Sequence, residues 1–229
     1  MIREDVFHLR RYPFWLILGV VTLSVLWWPI ATVRAQTETV QRVEIKEYQG
    51  EKLGSVDDFR ENSIKGVQRI DPESYLLTID GLVEQTRSLT YATLQAMPHT
   101  KKLVTLNCVE GWSVTALWEG IPLSDLFDRV SPTAAANTVI FHAHDGYTTS
   151  LPLATITERN LIIADSINTI TLPPERGFPF QLVAEDKWGY KWIKWITRIE
   201  LSADPDYRGF WESRGYNNDG DLSGPMFGP

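Results

Sequence analysis

Cysteine is almost absent from this chain, and that scarcity restricts its chemistry. The 229 residues include a single cysteine, Cys108, so no disulfide can form within the chain and a C-x-x-C-H haem-attachment motif is excluded. Cys108 must therefore serve as a thiol, a thiolate or a metal ligand. The segments around it, Cys108–Ser113 and Trp118–Leu123, are dense in Trp, Gly and Pro. We identify this region as the place where the chain does chemistry.

Basic residues are fewer than acidic ones, and the chain has no internal repeat. Asp and Glu number 29 against 22 Lys and Arg, for a net charge of −7. This balance argues against nucleic acid as a partner, because binding its phosphates requires a cationic surface. No sequence repeat recurs, and no strand–helix–strand rhythm predicts a parallel sheet. The 43% hydrophobic content suffices for one buried core, and many short strands with a few short helices predict a single α+β domain.

A long apolar run lies near the N-terminus. Residues 12–33 carry no charge and would span roughly 33 Å as a helix, which is the thickness of a bilayer core. We assign 1–13 to a cytoplasmic segment and 14–33 to an uncleaved transmembrane helix; the alternative is a signal peptide cleaved after Ala35. Both predict export, with the domain either anchored on the periplasmic side of the inner membrane or free in the periplasm. The Arg10-Arg11 pair leaves Sec and twin-arginine export both open.

The rest of the chain divides into a linker and a folded domain. Residues 34–58 are polar and predict a linker, so the domain is expected over 59–229. An alternating, β-rich segment predicts a strand over 101–108 that delivers Cys108 at its end. Short helices are predicted over 88–96 and 122–127. Further strands are predicted over 74–82, 137–143, 147–152, 161–164, 181–184 and 194–201.

Four segments, in their order and spacing, carry a resemblance to a known family. They are Asn62–Gly66, the Cys108 segment with Trp118–Leu123, Asp145–Pro152, and residues 172–195. Over residues 59–216 the chain resembles the molybdopterin-binding domain of the sulfite oxidase superfamily. The resemblance implies one domain of mixed β-sheets and short helices that binds a single molybdenum–molybdopterin cofactor.

The resemblance also implies the metal ligand and the pterin contacts. It makes Cys108 the molybdenum ligand, beside the dithiolene sulfurs of the pterin, and a thiolate is a soft ligand that suits such a centre. It places Asn62 and Ala143 against the pterin. His142 and His144 flank Ala143, but no third ligand at a suitable spacing accompanies this pair, so we do not expect an independent metal site there.

The phosphate end of the cofactor is implied by a second group of residues. The resemblance places it at a loop formed by Lys194 and the backbone of Trp192 and Ile193, because a basic side chain and exposed amides suit an anion. Arg176 falls where the family has a polar contact to the pterin. Gln181 stands where the family often has an arginine on the phosphate. This departure weakens the phosphate site unless Arg176 supplies the missing charge.

Glu110 bears on the reaction. It follows the cysteine closely, where animal and plant sulfite oxidases have a basic stretch that binds sulfite, and a carboxylate there would repel that anion. The local pattern is more similar to the bacterial periplasmic methionine-sulfoxide reductase branch of the superfamily. This implies oxygen-atom transfer on a small-molecule or protein sulfoxide, or another sulfur or nitrogen oxide, by a monomer that exchanges electrons with a haem membrane protein or cytochrome. Glu110 is our candidate for protonating the leaving oxygen, and Trp112 and Tyr147 are candidates for lining the substrate funnel.

Two other functions remain open from the sequence. Cys108 could be the nucleophile of a cofactor-free enzyme with His142 or His144 as its base, and such an enzyme would be active without molybdenum. The fold could instead serve as a non-catalytic binding module, which the exchange at Gln181 keeps open. The sequence does not specify the physiological substrate or the direction of reaction.

Overall fold

The computed structural model describes residues 43–228. The predicted transmembrane segment and the alternative cleavage site after Ala35 lie outside these residues. Between 43 and 228, no helix is long and apolar enough to cross a membrane.

Short strands make up most of the regular structure. They are β1 (Glu47–Tyr48), β2 (Glu51–Lys52), β3 (Leu76–Gly81), β4 (Arg87–Thr90), β5 (Thr100–Asn107), β6 (Ser113–Pro122), β7 (Thr138–Ala143), β8 (Thr148–Pro152), β9 (Ile162–Ile167), β10 (Ile170–Thr171), β11 (Gln181–Val183) and β12 (Ile196–Ser202). The α-helices are equally short and comprise α1 (Tyr91–Gln95), α2 (Leu123–Phe127) and α3 (Leu153–Glu158). Single 3-10 turns occupy Val56–Asp58, Pro174–Arg176, Gly189–Lys191 and Glu212–Arg214.

The strands form two larger sheets and one small hairpin. The first sheet has the order β10-β9-β6-β5, with β11 also paired to β9, and all its pairings are antiparallel. The second has the order β4-β3-β12-β7-β8, in which β12 and β3 run parallel and the other neighbours antiparallel. β1 and β2 pair only with each other. The predicted α+β domain of mixed sheets and short helices is confirmed.

Side chains of both sheets supply the core. Every residue of β9 is buried, which suits a strand flanked by β6 and β11 and covered on both faces. Trp118 of β6 is fully buried, and its indole Nε1 donates to the Val104 carbonyl oxygen at 3.2 Å, so the polar atom of this large side chain keeps a partner. From the second sheet, Phe141 and Ile199 are fully buried in the same core.

One predicted helix is partly wrong. Residues 88–90 of the helix expected over 88–96 belong to β4, which pairs with β3, and only Tyr91–Gln95 is helical. The helix begins after Thr90 because the Thr90 backbone is extended and its Oγ1 accepts the Thr93 amide hydrogen at 3.2 Å. Such a hydroxyl cap satisfies a free amide of the first turn. Residues 88–90 are therefore extended because they pair with β3, although the sequence pattern predicts a helix there.

The expected linker over 34–58 also needs correction. From residue 43 onwards the chain packs on the domain: Leu53 is buried, Ile45 N donates to the Asn168 carbonyl at 3.1 Å, and Thr169 Oγ1 donates to the Val43 carbonyl at 2.9 Å. The polar composition predicted a linker because it offers few apolar side chains for packing. The segment is instead held mainly by hydrogen bonds to side chains and backbone of the domain. The folded part therefore begins before Phe59.

Glu44 anchors this segment and makes its attachment sensitive to acid. Burial raises the pKa of the Glu44 carboxyl, but hydrogen bonds from Lys46, Asn168, Val56 and Ser55 outweigh it and lower the pKa to about 2. Because the folded-state pKa lies below the ordinary value of 4.5, the stabilisation is complete above pH 4.5 and is lost as the pH falls towards 2.

We expect Glu44→Gln to lower the free energy of unfolding at pH 7 by about 2 kcal/mol, because several hydrogen bonds lose their charged acceptor. It should also flatten the decline in stability between pH 4.5 and 3. Urea unfolding at both pH values measures this effect. The matched control is Glu47→Gln, which alters an exposed carboxylate of the β1–β2 hairpin. Equal effects of the two substitutions would contradict the anchoring role.

Candidate active site

A cavity of about 320 Å³ lies where the loop after β5 meets the Gly189–Lys191 turn and the C-terminal segment. All the site residues predicted from the sequence, except Ala143, line it. They are Asn62, Cys108, Glu110, Arg176, Gln181, Trp192, Ile193 and Lys194. Residues far apart in the sequence thus share one concave surface, as expected of a ligand site.

Cys108 lies in the tight loop that joins β5 to β6. Its amide donates to the Trp112 carbonyl at 2.9 Å, and Gly111 N donates to the Cys108 carbonyl at 3.1 Å. Gly111 has a φ of 83°, which glycine adopts without a steric penalty. Burial raises the pKa of the Cys108 thiol; backbone hydrogen bonds lower it, the charge of Glu110 raises it and that of Arg60 lowers it, and the net effect is an increase. This is opposite to the lowered pKa of activated nucleophilic cysteines.

Glu110 connects two loops beside the thiol. Its Oε1 accepts from Asn62 Nδ2 at 3.0 Å, and its Oε2 accepts from the Trp112 indole Nε1 at 3.1 Å. Both of these predicted site residues therefore have a structural partner at the cavity, and Glu110 remains exposed. The carboxylate holds the Asn62 loop against the Cys108 loop and faces solvent from which it could exchange a proton.

Two cations lie at another part of the same cavity. Arg176 is 6% exposed, and its guanidinium stacks over the Phe59 ring at 5.3 Å but has no hydrogen-bond partner within residues 43–228. Lys194 Nζ donates to Glu61 Oε1 at 3.1 Å and to the Glu175 carbonyl at 3.2 Å. Burial lowers the pKa of Lys194 to about 8, against the opposing effect of Glu61. Burial likewise lowers the pKa of Arg176.

Both amides that were expected to bind the phosphate, those of Trp192 and Ile193, have hydrogen-bond partners within the chain. Trp192 N donates to the Gly189 carbonyl at 3.0 Å, and Ile193 N donates to the Lys191 carbonyl at 3.1 Å, so both are already used within the chain. The Trp192 backbone, with φ −89° and ψ 67°, forms a tight turn that closes the second of these bonds. Both residues still line the cavity, but an anion would have to be held by side chains or by another amide.

Ala143 and its histidine neighbours lie outside the cavity. Ala143 is 8% exposed and ends β7. His142 Nε2 lies 2.9 Å from Glu200 Oε2, and His144 Nδ1 lies 3.0 Å from Gln68 Oε1. Ala143 pairs with Ile196 of β12 and does not line this cavity, so the pterin contact expected there stays a prediction. Neither histidine lines the cavity as a base for Cys108, and residues 43–228 contain no cluster of three or more His, Cys, Asp or Glu that could hold a metal ion.

Several cavity residues were not predicted from the sequence. They are Arg60, Asp145, Tyr190, Trp211 and Tyr216. Trp211 and Tyr216 belong to the C-terminal segment, and their rings contact each other with centroids 5.4 Å apart. The Trp and Tyr residues late in the chain were the available signal, although only the folded chain shows that they form an aromatic wall. The expected funnel residues Trp112 and Tyr147 also line the cavity.

The donor set fits a large cofactor with a soft metal and an anionic group. Cys108 offers one soft thiolate ligand, so a metal held there would take its other ligands from the cofactor. Gln181 is 4% exposed, and its buried Oε1 has no hydrogen-bond partner among the described residues. A buried acceptor without a partner is costly, and an N–H of a pterin ring would satisfy it. The residues present therefore fit the cofactor that the sequence resemblance implies.

Comparisons with known proteins agree with this arrangement. The model of the oxidoreductase molybdopterin-binding domain family matches residues 64–211. An uncharacterized oxidoreductase of Bacillus subtilis, YuiH, is 32% identical over 152 residues, which are 66% of this chain and 76% of YuiH. A putative protein-methionine-sulfoxide reductase subunit of Azospira oryzae, YedZ1, is 33% identical over 151 residues, which are 66% of this chain but only 57% of YedZ1.

A solved structure is similar in fold. The crystal structure of the sulfane dehydrogenase SoxCD from Paracoccus pantotrophus matches with a TM-score of 0.59 and 22% identity, over 61% of this chain and 41% of that chain. At this identity the likeness concerns the arrangement of strands and helices alone.

Proposed function

We propose a function for this chain, which belongs to the oxidoreductase molybdopterin-binding domain family and is an oxidoreductase of the sulfite oxidase superfamily. It is an exported enzyme that transfers oxygen atoms and reduces sulfoxides in preference to oxidising sulfite. Cys108 ligates the molybdenum of a single molybdopterin. The observation that carries the proposal is that Cys108 and the buried cations Arg176 and Lys194 line one cavity.

The surroundings of Cys108 favour a neutral substrate. The charge of Glu110 raises the pKa of the Cys108 thiol more than that of Arg60 lowers it, and a carboxylate beside the thiol repels an anion such as sulfite. Trp112, Tyr147 and Trp211 offer an aromatic wall to an uncharged, partly apolar group. A methionine sulfoxide side chain or a small dialkyl sulfoxide meets both conditions. The similarity to YedZ1, a putative protein-methionine-sulfoxide reductase subunit, supports the same substrate class.

The residues of the chain bind, orient and exchange protons. When bound, molybdenum supplies two-electron oxygen-atom transfer, which side chains cannot perform. Cys108 provides the protein's ligand, and Gln181 accepts a hydrogen bond from the pterin. A sulfoxide takes up a pair of electrons and a pair of protons and leaves as a thioether and water. Glu110, exposed beside the thiol, supplies a proton to the departing oxygen.

The electrons come from a separate protein, because Cys108 is the only cysteine and no c-type haem motif exists. A haem membrane protein or a cytochrome fits this need. The domain acts as a monomer on the periplasmic side, held by residues 14–33 or released after Ala35. Fractionation of the producing cells, with N-terminal sequencing of the purified chain, distinguishes these locations, and recovery in the cytoplasm would refute export.

Glu110→Gln tests the proton role. The amide oxygen can still accept from Asn62, but the side chain no longer titrates. We expect kcat for sulfoxide reduction to fall about 100-fold and its dependence on pH to flatten. The control is Trp112→Phe, which removes the indole donor and leaves the carboxylate. If Glu110→Gln raises only KM, or behaves like Trp112→Phe, then the carboxylate merely positions the loops.

The function is tested with the full chain purified from a host that loads molybdopterin enzymes. Molybdenum and pterin content are measured first, followed by turnover of free and protein-bound methionine sulfoxide with a reduced viologen, and of sulfite with ferricyanide. We expect cofactor equimolar with the chain and faster sulfoxide reduction. Faster sulfite oxidation would reverse the proposed substrate preference. Absence of molybdenum, in a host shown to load a relative, would favour the thiol enzyme or the binding module.

A further inference from the structure

A second cavity shares no lining residue with the cavity beside Cys108. Its volume is about 370 Å³, which is within the range of small-molecule sites. It lies between α1 and the strands β6, β9 and β10, and we call it the polar cavity because every side chain that lines it carries a polar atom. Six of the lining residues are Tyr91, Gln95, His99, Glu119, Asp165 and Thr171. The sulfoxide site does not account for this cavity.

Asp165 is the more deeply buried of the two carboxylates in the polar cavity, at 5% exposure. Its Oδ2 accepts from His99 Nε2 at 2.9 Å and from the Gln95 amide nitrogen. Its Oδ1 has no hydrogen-bond partner between residues 43 and 228. A buried carboxylate oxygen without a donor is unfavourable, so Asp165 Oδ1 is an acceptor available to a ligand.

His99 has no donor to spare for a ligand. Its Nδ1 lies 2.7 Å from the Met97 carbonyl oxygen, which can only accept, so this nitrogen carries a hydrogen. Its Nε2 faces the Asp165 carboxylate. Burial lowers the pKa of His99, but the hydrogen bond and the charge of Asp165 outweigh burial and raise the pKa. This favours an imidazolium in which both N–H groups are already used.

Glu119 adds a second negative charge that is poorly compensated. Its side chain is 25% exposed, and Lys101 Nζ lies 3.9 Å from its Oε2, which is too far for a hydrogen bond. The Lys101 side chain is itself 45% exposed, and ion pairs of such exposed groups contribute little. Two carboxylates therefore face one imidazolium in the lining, and no lysine or arginine of residues 43–228 lines the polar cavity.

The polar atoms that remain without partners are mostly acceptors. Gln95 uses its Nε2 on Asp165, which leaves its carbonyl oxygen. Ser166 Oγ donates to the Ile170 carbonyl at 2.8 Å. The Tyr91 hydroxyl has no hydrogen-bond partner in the described part of the chain, and burial with the charge of Asp165 raises its pKa to about 12, so it stays neutral. A ligand of this cavity must therefore bring hydrogen-bond donors and a positive charge.

We propose that the polar cavity binds a guanidinium group, carried either by a free small molecule or by an arginine side chain of another protein. A guanidinium presents its N–H donors in a planar fork that matches a carboxylate. Asp165 Oδ1 and Glu119 supply the charged acceptors, and Gln95 Oε1 and the Tyr91 hydroxyl supply neutral ones. A metal ion fits less well, because residues 43–228 contain no group of three or more His, Cys, Asp or Glu that could hold one. The site does not depend on the proposed function.

The test compares ligands that differ only in the guanidinium. Calorimetric titration and the thermal midpoint are measured on the full chain. Agmatine is the small probe, and N-carbamoylputrescine, in which a neutral urea replaces the guanidinium, is its matched control. A short acetylated peptide with a single arginine, and the same peptide with citrulline, form the second pair. The protein variants are Glu119→Gln and the control Glu185→Gln, because Glu185 pairs with Lys102 at 2.9 Å but lines neither cavity.

We expect agmatine to bind wild type and to raise its thermal midpoint, because a ligand of the folded state stabilises it. N-carbamoylputrescine should do neither. Glu119→Gln should weaken binding at least about 10-fold, as the loss of a charge-assisted hydrogen bond does, whereas Glu185→Gln should leave the affinity unchanged. Thr171→Arg places an arginine at an exposed position of the lining and should abolish binding, because its own guanidinium fills the cavity.

The two pairs of ligands also distinguish the sources of the guanidinium. Binding of agmatine shows that a free small molecule suffices, and binding of the arginine peptide without agmatine assigns the site to a partner protein; both results uphold the proposal. Equal binding of the charged and neutral members of each pair, or binding of none of the probes, would overturn it. Binding that Glu119→Gln leaves unchanged would overturn it too, because the probe would then lie elsewhere on the chain.

Discussion

Lys191→Met should destabilise the domain by about 3–5 kcal/mol, because it leaves a carboxylate buried without its cation. Lys191 and Glu212 are both 0% exposed, and Lys191 Nζ donates to Glu212 Oε1 at 2.7 Å. Thr149 Oγ1 donates to the same oxygen at 2.5 Å, and the other oxygen of Glu212 is buried without a hydrogen-bond partner among the described residues. The carboxylate therefore depends heavily on Lys191.

The expected loss corresponds to a fall in the thermal midpoint of roughly 10 °C for a domain of this size. Calorimetry or thermal circular dichroism measures it. Lys187→Met is the matched control: Lys187 pairs with Asp221, but the Asp221 side chain is 47% exposed and can be hydrated again. A loss for Lys191→Met no larger than for Lys187→Met would show that burial of the pair has no special cost.

The double variant Lys191→Met with Glu212→Gln isolates the charge. It removes both charges while leaving an oxygen for Thr149, so its loss of stability should be well below the sum of the losses in the two single variants.

The Lys191–Glu212 pair also affects the site. Lys191 ends the turn whose Gly189 packs against Cys108, and Glu212 follows Trp211 of the aromatic wall. Substitutions here should therefore lower cofactor retention along with stability.

Cys108→Ala should abolish sulfoxide reduction while leaving the pterin bound. Loss of supporting contacts at metal sites already costs 10–100-fold, so removing the ligand itself should cost more than about 100-fold in kcat. The pterin should be retained because Gln181, Arg176 and Lys194 also line the cavity and would hold it independently of the thiol. Activity, pterin content and the sulfur signature in X-ray absorption at molybdenum measure the three consequences.

Ser113→Ala serves as the control for Cys108, because Ser113 begins β6 next to the same loop but does not line the cavity. It should retain full activity. Near-normal turnover in Cys108→Ala would refute ligation by this residue and return Cys108 to the role of an ordinary buried thiol.

The strand that leads into the site, β5, could be predicted from the sequence more easily than β6, which follows the Cys108 loop. The alternation before Cys108 predicts β5, and the structure confirms that Cys108 follows its last residue. β6 was not predicted, because Gly120 and Pro122 are unusual in a strand. Gly120 is required there, since a Cβ would overlap the Ile163 carbonyl of neighbouring β9. The need for glycine at this position comes from the pairing of β6 with β9, which the local sequence pattern does not reveal.

The sequence by itself determined which chemistry is available. One cysteine, its motif-rich surroundings and the order of four segments suffice to indicate the family and to make Cys108 the candidate metal ligand, because these depend on residue type and spacing. Tertiary structure decided which of the candidates meet. It brought Cys108, Arg176, Gln181 and Lys194 into one cavity and left Ala143 outside it. It also closed the Trp192 and Ile193 amides in turns. Burial and partners depend on contacts between distant segments, which no local pattern records.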